Sequence, residues 1–409
     1  MKYYHRENYL RKIRGFYHDT GIIKVITGVR RCGKSCLMET IAEELMGAGV
    51  SADNIIYLNL DKRGYRHIKT ADQLDALIEA KSTAEGVKYL FIDEIQNVKD
   101  FEEVINGFRE EEEYSIFITG SNSYLLSGEL ATKLTGRYLE FELFTLGFDE
   151  YLEMKQFLGK PVQSDLTSEF DAYLSEGGFP KALQYEGEDK QTYIRGIIAE
   201  IFEKDIKKRV KIRNVSVFEA VQRYIINNFG APVSLTNILE DLKKNKVTIK
   251  RETLQRYIHI LEEAKIIYPC YRFDLKSRRS IAGEQKYYLA DLGFYFSMNT
   301  DKRINYGPAM ENIVYTYAKS KGYNISVGRI GKLECDFILE RHSTDYAYVQ
   351  VAMTIMDSII TEDREYRALE QIRDNYPKYL ITRNDLIQHR NGIHHVNIAP
   401  FMKNNGLFE

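Results

Sequence analysis

Residues 28–35 read GVRRCGKS, and they stand between two segments of opposite character. Before them runs a short apolar stretch, Ile22-Ile23-Lys24-Val25-Ile26-Thr27, and after them residues 36–46 have the spacing of a helix. Strand, glycine loop and helix in that order restrict the chain to a small set of α/β folds. Gly28 and Gly33 let the backbone turn inward so that its N–H groups converge on an anion. The helix that starts near Lys34 aims the positive end of its dipole at the same point. Gly28, Val29, Arg30, Arg31, Cys32, Gly33, Lys34, Ser35 and Cys36 therefore form a phosphate cradle. Lys34 adds a full charge for the β- and γ-phosphates of ATP, and the Ser35 hydroxyl is a ligand for Mg²⁺. With Gly at about 7% of residues, the pattern arises by accident in roughly one chain in a hundred of this length.

A second motif belongs with the first. Tyr89-Leu90-Phe91-Ile92-Asp93-Glu94 is an apolar run that ends in two acids. An acid at a strand end can hold the magnesium, which suits Asp93, and Glu94 can then polarise the attacking water as general base. Helix-capping acids are the plain alternative. Residues 115–119 make a further strand, ending in Gly120, Ser121 and Asn122; Asn122 or Ser121 is the candidate for positioning the water. Arg137 precedes a fifth strand. It is either a surface arginine or the cation that ATPases supply to the transition state in cis or from a neighbouring subunit. Strands at 22–27, 54–60, 88–93, 115–119 and 138–146, with helical segments between, imply a parallel sheet covered on both faces.

The chain has 409 residues, enough for two or three cores. No apolar run is long enough to cross a bilayer, so no membrane partner is expected. The four cysteines, Cys32, Cys36, Cys270 and Cys335, have neither metal-ligand nor disulfide spacing, which points to a reducing cytoplasm. The net charge of −2 is unevenly spread: residues 201–300 hold 19 Lys and Arg against 11 Asp and Glu. That stretch is where a polyanion partner would bind.

Residues 147–213 read as helical, the right size for a lid over the nucleotide. Residues 214–295 read as three helices followed by two strands joined through Lys276-Ser277-Arg278-Arg279-Ser280, which is a winged helix-turn-helix. Lys250, Arg251, Gln255 and Arg256 fall early on its recognition helix, where base and phosphate contacts are made. Such modules also dock proteins. The last segment places Glu311 on a helix, Asp336 in a hairpin and Gln350-Val351-Ala352 on the next strand. Metal-dependent nucleases of the restriction-endonuclease fold gather their ligands in this way, but alanine stands where the lysine that stabilises hydroxide is needed. The site reads as eroded.

From residue 9 to residue 401 the chain resembles the prokaryotic AAA-type ATPases of the AAA+ superfamily that end in a nuclease-like domain of unknown function. The resemblance rests on GVRRCGKS, FIDEIQ (91–96), TGSNSYLLSGE (119–129), LTGRYLEFEL (134–143), GGFPKAL (177–183), KYYLADLG (286–293), ECDFIL (334–339) and YVQVA (348–352). It implies ATP and Mg²⁺ as cofactors, Lys34, Ser35, Asp93 and Glu94 as the ATPase residues, and Arg137 as a candidate arginine finger.

The expected architecture is α/β. It comprises a P-loop NTPase parallel sheet (1–146), a helical lid (147–213), a winged helix-turn-helix (214–295) and a catalytically degenerate restriction-endonuclease-like domain (296–409). The expected function is an ATP-hydrolysing switch or motor that couples nucleotide state to DNA binding, with a homo-oligomer as one assembly open to it. An ATP-timed regulator that docks a protein is the alternative, and an ATP-gated nuclease the third reading.

Overall fold

The computed structural model describes residues 3–120, 136–207, 212–299, 306–342 and 345–409. By packing, the chain divides into two units, Met1–Leu143 and Phe144–Glu409.

The first unit runs α1 (Glu7–Ile13), β1 (Ile23–Thr27), α2 (Lys34–Gly47), β2 (Ile55–Asn59), α3 (Ala71–Lys81), β3 (Lys88–Asp93), α4 (Phe101–Glu110), β4 (Tyr114–Thr119) and β5 (Tyr138–Glu142). The five strands are parallel, in the order β2-β3-β4-β1-β5. Every residue of β1, β3 and β4 is buried, which a strand achieves only with cover on both faces. Side chains alternate between those faces. Val25, Leu90, Ile92 and Ile118 pack on one side with Leu74, Ile105 and Phe108 of the helices. Tyr57, Phe91 and Phe117 stack on the other, with ring centroids 5.8 and 4.7 Å apart. A capping box starts α3: the Gln73 N–H donates to Thr70 Oγ1, and the Gln73 side chain accepts from the Thr70 N–H.

The second unit opens with α5 (Phe148–Phe157), α6 (Leu166–Glu176) and α7 (Gly187–Glu200). It continues with α8 (Val215–Asn227), β6 (Pro232–Val233), α9 (Leu235–Lys244), α10 (Arg251–Glu263), β7 (Ile267–Asp274), β8 (Arg279–Leu289) and α11 (Gly293–Met298). It closes with α12 (Tyr306–Ser320), β9 (Asn324–Ile330), β10 (Leu333–Arg341), β11 (Asp345–Val351), α13 (Ile359–Glu370), β12 (Lys378–Thr382), β13 (His389–Arg390), β14 (Ile393–Asn397) and α14 (Ile398–Lys403). Short polar side chains start several of these helices. Asn214 accepts from the Val217 N–H at α8, and Ser234 accepts from the Asn237 N–H at α9.

One nine-stranded sheet runs through the unit, in the order β13-β14-β12-β11-β10-β9-β7-β8-β6. Its join is the parallel pairing of β7 with β9, from Arg272 opposite Val327 to Asp274 opposite Arg329. The segments expected as a winged helix and a nuclease-like domain thus share backbone hydrogen bonds. The helices expected as a lid pack within this same unit: α14 lies against α5 and α6, and Arg383 Nη2 is 2.6 Å from Asp171 Oδ2.

The GGFP and ADLG motifs meet at one buried carboxylate. Asp291 accepts from the Gly178 N–H at 2.7 Å and from the Gly293 N–H at 2.8 Å. A β-carbon on Gly177, whose φ is +76°, would lie 2.0 Å from Asp291 Oδ1. Among the described residues no helix is long and apolar enough to cross a membrane.

Candidate functional site

The glycine loop leaves the carboxyl end of β1 and enters α2, with Gly28 at φ +140° and Gly33 at φ +110°. Gly28 has no room for a side chain: a β-carbon there would lie 2.1 Å from the Leu143 carbonyl oxygen. Gly33 is the N-cap of α2 and supplies no side-chain cap, so the first-turn amides are left to an anion. Lys34 is buried, and its ammonium donates to the carbonyls of Gly28 (2.9 Å) and Val29 (3.2 Å). The amine thus lies against the loop's own backbone, within reach of whatever anion the loop encloses. Arg6, ahead of α1, donates to the Cys32 carbonyl at 3.2 Å and ties the amino-terminal segment to the loop. Cys32 is buried, and burial pushes its thiol up, which keeps it unreactive; Cys36 is exposed. Arg31 is exposed, at φ 70°.

Strand order decides what the loop faces. β4 lies between β1 and β3, so the end of β3 is two strand spacings from the loop, about 10 Å. That gap suits a cation held between the Ser35 hydroxyl and Asp93. Both oxygens of Asp93 are fixed: Oδ1 accepts from Thr119 Oγ1 at 2.5 Å and Oδ2 from Asn59 Nδ2 at 2.8 Å. Thr119 Oγ1 also accepts from the Glu94 N–H at 3.1 Å. Glu94 has φ 60°, a left-handed conformation that costs a non-glycine residue about 1 kcal/mol and is concentrated at active sites. Its carboxylate accepts from Gln96 and lies 3.9 Å from Arg30 Nη2 of the loop. The donor set, two acids of fixed aim beside a glycine cradle, fits a magnesium nucleotide.

The sequence reading missed Asn59, and it named the β4 end for Ser121 and Asn122 rather than for Thr119. Ser121 and Asn122 lie outside the described residues. Arg137 is in a different place from the loop. It precedes β5, whose first residue pairs with Ile23 at the start of β1. It therefore sits at the amino end of the sheet, about 16 Å along the strands from the glycine loop. There it donates to Asn106 Oδ1 at 3.0 Å and lies 3.6 Å from Glu110. An arginine finger acting in cis is not available in this arrangement.

In the second unit Lys250, Arg251, Gln255 and Arg256 are all exposed, at and just after the start of α10. Arg251 and Gln255 line a groove of about 570 Å³ with Thr236 of α9 and Gln285 of β8. Glu311 and Asp336 do converge, but on the ammonium of Lys286. Gln350 is committed elsewhere: its Oε1 accepts from the Asp336 N–H and its Nε2 donates to Glu365. Among the described residues no group of three His, Cys, Asp or Glu is placed to hold a metal ion.

Parallel sheet, glycine loop and paired acids define the first unit as a P-loop AAA-type ATPase domain, and residues 21–152 match the family model described as an AAA domain. Residues 167–303 match a domain of unknown function, DUF8612. A Walker-type ATPase of Pyrococcus abyssi shares the fold, with a TM-score of 0.50 at 14% identity over 73% of this chain and 96% of that one. An uncharacterised protein of Haemophilus influenzae is 35% identical over 379 residues, 92% of each chain. Another, from Methanocaldococcus jannaschii, is 30% identical over 400 residues, 93% of this chain and 87% of its own. The chain belongs to the family of these two proteins.

Proposed function

We propose that the chain binds ATP with Mg²⁺ and hydrolyses it, and that nucleotide state governs DNA binding by the C-terminal half. The observation that carries the first part is the grip of Thr119 on Asp93 and Glu94, one strand away from the glycine loop. In this reading the loop amides and Lys34 hold the β- and γ-phosphates, and Ser35 and Asp93 hold the metal. Bound Mg²⁺ supplies charge neutralisation at the phosphoryl oxygens. Glu94 takes the proton of the attacking water, and Arg137 serves a neighbouring subunit's site.

The order α8, β6, α9, α10, β7, β8, with β6 and β7 both antiparallel to β8, supports a winged helix with α10 as its recognition helix. The order α12, β9, β10, β11, α13, β12, with β12 parallel to β11, supports a restriction-endonuclease-like end. Docking of a protein partner is the second reading. It is favoured by acids on the same helix, where Glu262 and Glu263 lie 3.6 and 3.4 Å from the His259 ring nitrogens. A nuclease has less support, since Gln350 is committed elsewhere and Ala352 carries no amine.

ATP turnover by purified protein tests the first part. Lys34→Ala is expected to lose nucleotide binding, and Glu94→Gln to keep it while turnover falls by about 100-fold or more. Undiminished hydrolysis by Glu94→Gln would overturn the assignment. A gel shift with duplex DNA at low salt, with and without ATP, separates DNA binding from protein docking.

A further inference from the structure

Lys286, on β8, ends among carboxylates from two other elements. Its Nζ is 2.9 Å from Glu311 Oε2 on α12, 3.0 Å from Glu334 Oε1 on β10 and 4.0 Å from Asp336 Oδ1 on the same strand. Only 4% of the side chain is exposed. Tyr288, two residues on and so on the same face of β8, donates to Glu311 Oε2 at 3.0 Å. Arg272 of β7 pairs with the other oxygen of Glu334, and Asp336 Oδ2 accepts from the Val351 N–H at 2.8 Å.

The charges nearly balance. Two cations, Lys286 and Arg272, face three carboxylates, Glu311, Glu334 and Asp336. Burial, with Glu311 adding to it, pushes the Asp336 carboxyl well above the usual range, the direction that eases the excess of negative charge. Burial works against the charge on Lys286, but Glu311, Asp336 and Glu334 outweigh it and hold the amine protonated.

We propose that Lys286 is the resident cation of this cluster: its ammonium stands where a helix carboxylate and strand carboxylates would otherwise gather a divalent metal, and it locks β8 to α12 and β10. The geometry is that of an ammonium. Its two nearest oxygens are 2.9 and 3.0 Å away, whereas Mg²⁺ needs about 2.0–2.1 Å. Gln350, on the neighbouring strand β11, is engaged with the Asp336 N–H and Glu365. Removing the ammonium leaves the three carboxylates facing Arg272, a formal excess of two negative charges when all three are ionised, which one divalent ion matches. The proposal does not depend on ATP hydrolysis.

The test is Mn²⁺ titration, by calorimetry and by the Mn²⁺ spin-resonance signal, on the full chain without nucleotide. An Asp93→Asn background removes cation uptake at the first unit. The protein with Lys286 intact is expected to take up no Mn²⁺ that depends on Asp336. Lys286→Met is expected to take up about one Mn²⁺ per chain and to melt at higher temperature when it is added. Both effects should vanish in Lys286→Met/Asp336→Asn. Should Lys286→Met not fold, Lys286→Gln keeps a hydrogen-bond donor for Glu311 and is expected to fold and to gain Mn²⁺ affinity. Uptake by the Lys286-intact protein that Asp336→Asn abolishes would overturn the proposal. So would a folded Lys286→Met protein that binds no metal. If neither Lys286 variant folds, the Lys286-intact titration decides alone.

Discussion

Thr119 Oγ1 donates to Asp93 Oδ1 at 2.5 Å while accepting the Glu94 N–H, so one hydroxyl on β4 holds the carboxylate that ends β3 and the backbone of the acid that follows it. Thr119→Val keeps the shape and removes the hydroxyl. It leaves a buried carboxylate oxygen and a backbone N–H without that partner, expected to cost about 1–3 kcal/mol in urea unfolding. ATP turnover should fall by about 10-fold or more with affinity for ATP little changed, and Thr119→Ser should restore most of it.

Arg137 is held by Asn106 and Glu110 at the amino end of the sheet, which gives its proposed role a concentration dependence. Arg137→Ala should leave turnover unchanged where light scattering shows a monomer. It should lower turnover by about 10-fold or more where the chain assembles. An equal loss at both concentrations would mean a structural role.

Asp291 gives the second unit a pH signature. Burial raises its carboxyl to about 6, against the opposing hydrogen bonds of Gly178, Thr145 and Gly293. A folded-state pKa above the unfolded value of about 3.9 means the folded chain binds the extra proton between those pH values. This contribution is therefore full below about pH 4 and is lost as pH rises through about 6, a swing on the order of 2–3 kcal/mol. Asp291→Asn should lower stability overall, since only one of its two oxygens remains. Its own stability–pH curve should also lack that swing, so the swing should appear as the difference between the two curves.

The exposed amino end of α10 makes a salt-dependence prediction. If Lys250 and Arg256 meet phosphates, alanine at either should weaken duplex binding alike on all sequences and reduce the salt slope by about one. Arg251 and Gln255 line the groove, and alanine there should change sequence preference more than salt slope.

Much of the first unit was legible because its signals are local. The apolar runs at 88–93 and 115–119 became β3 and β4 with boundaries shifted by at most one residue. The loop and the two acids carry their chemistry in adjacent residues. What escaped the reading depended on strand order, which no local pattern encodes. Asn59 and Thr119 matter because β2 and β4 flank β3, and each alone reads as a polar strand end. Lys286 reads as one polar position in a half-exposed strand until α12 and β10 surround it. The placement of Arg137 could have been seen. A residue that precedes a parallel strand lies at the amino end of the sheet, opposite the ligand edge.

The close approach of Gly28 to the Leu143 carbonyl has a mechanical meaning. Leu143 also donates its N–H to the Thr27 carbonyl at 2.8 Å, and it is the last residue of the first unit. The phosphate loop is therefore pinned, through one hydrogen bond and one van der Waals surface, to the residue at which the chain departs for the second unit. Any rearrangement of Gly28 on taking up a nucleotide would bear directly on that departure point.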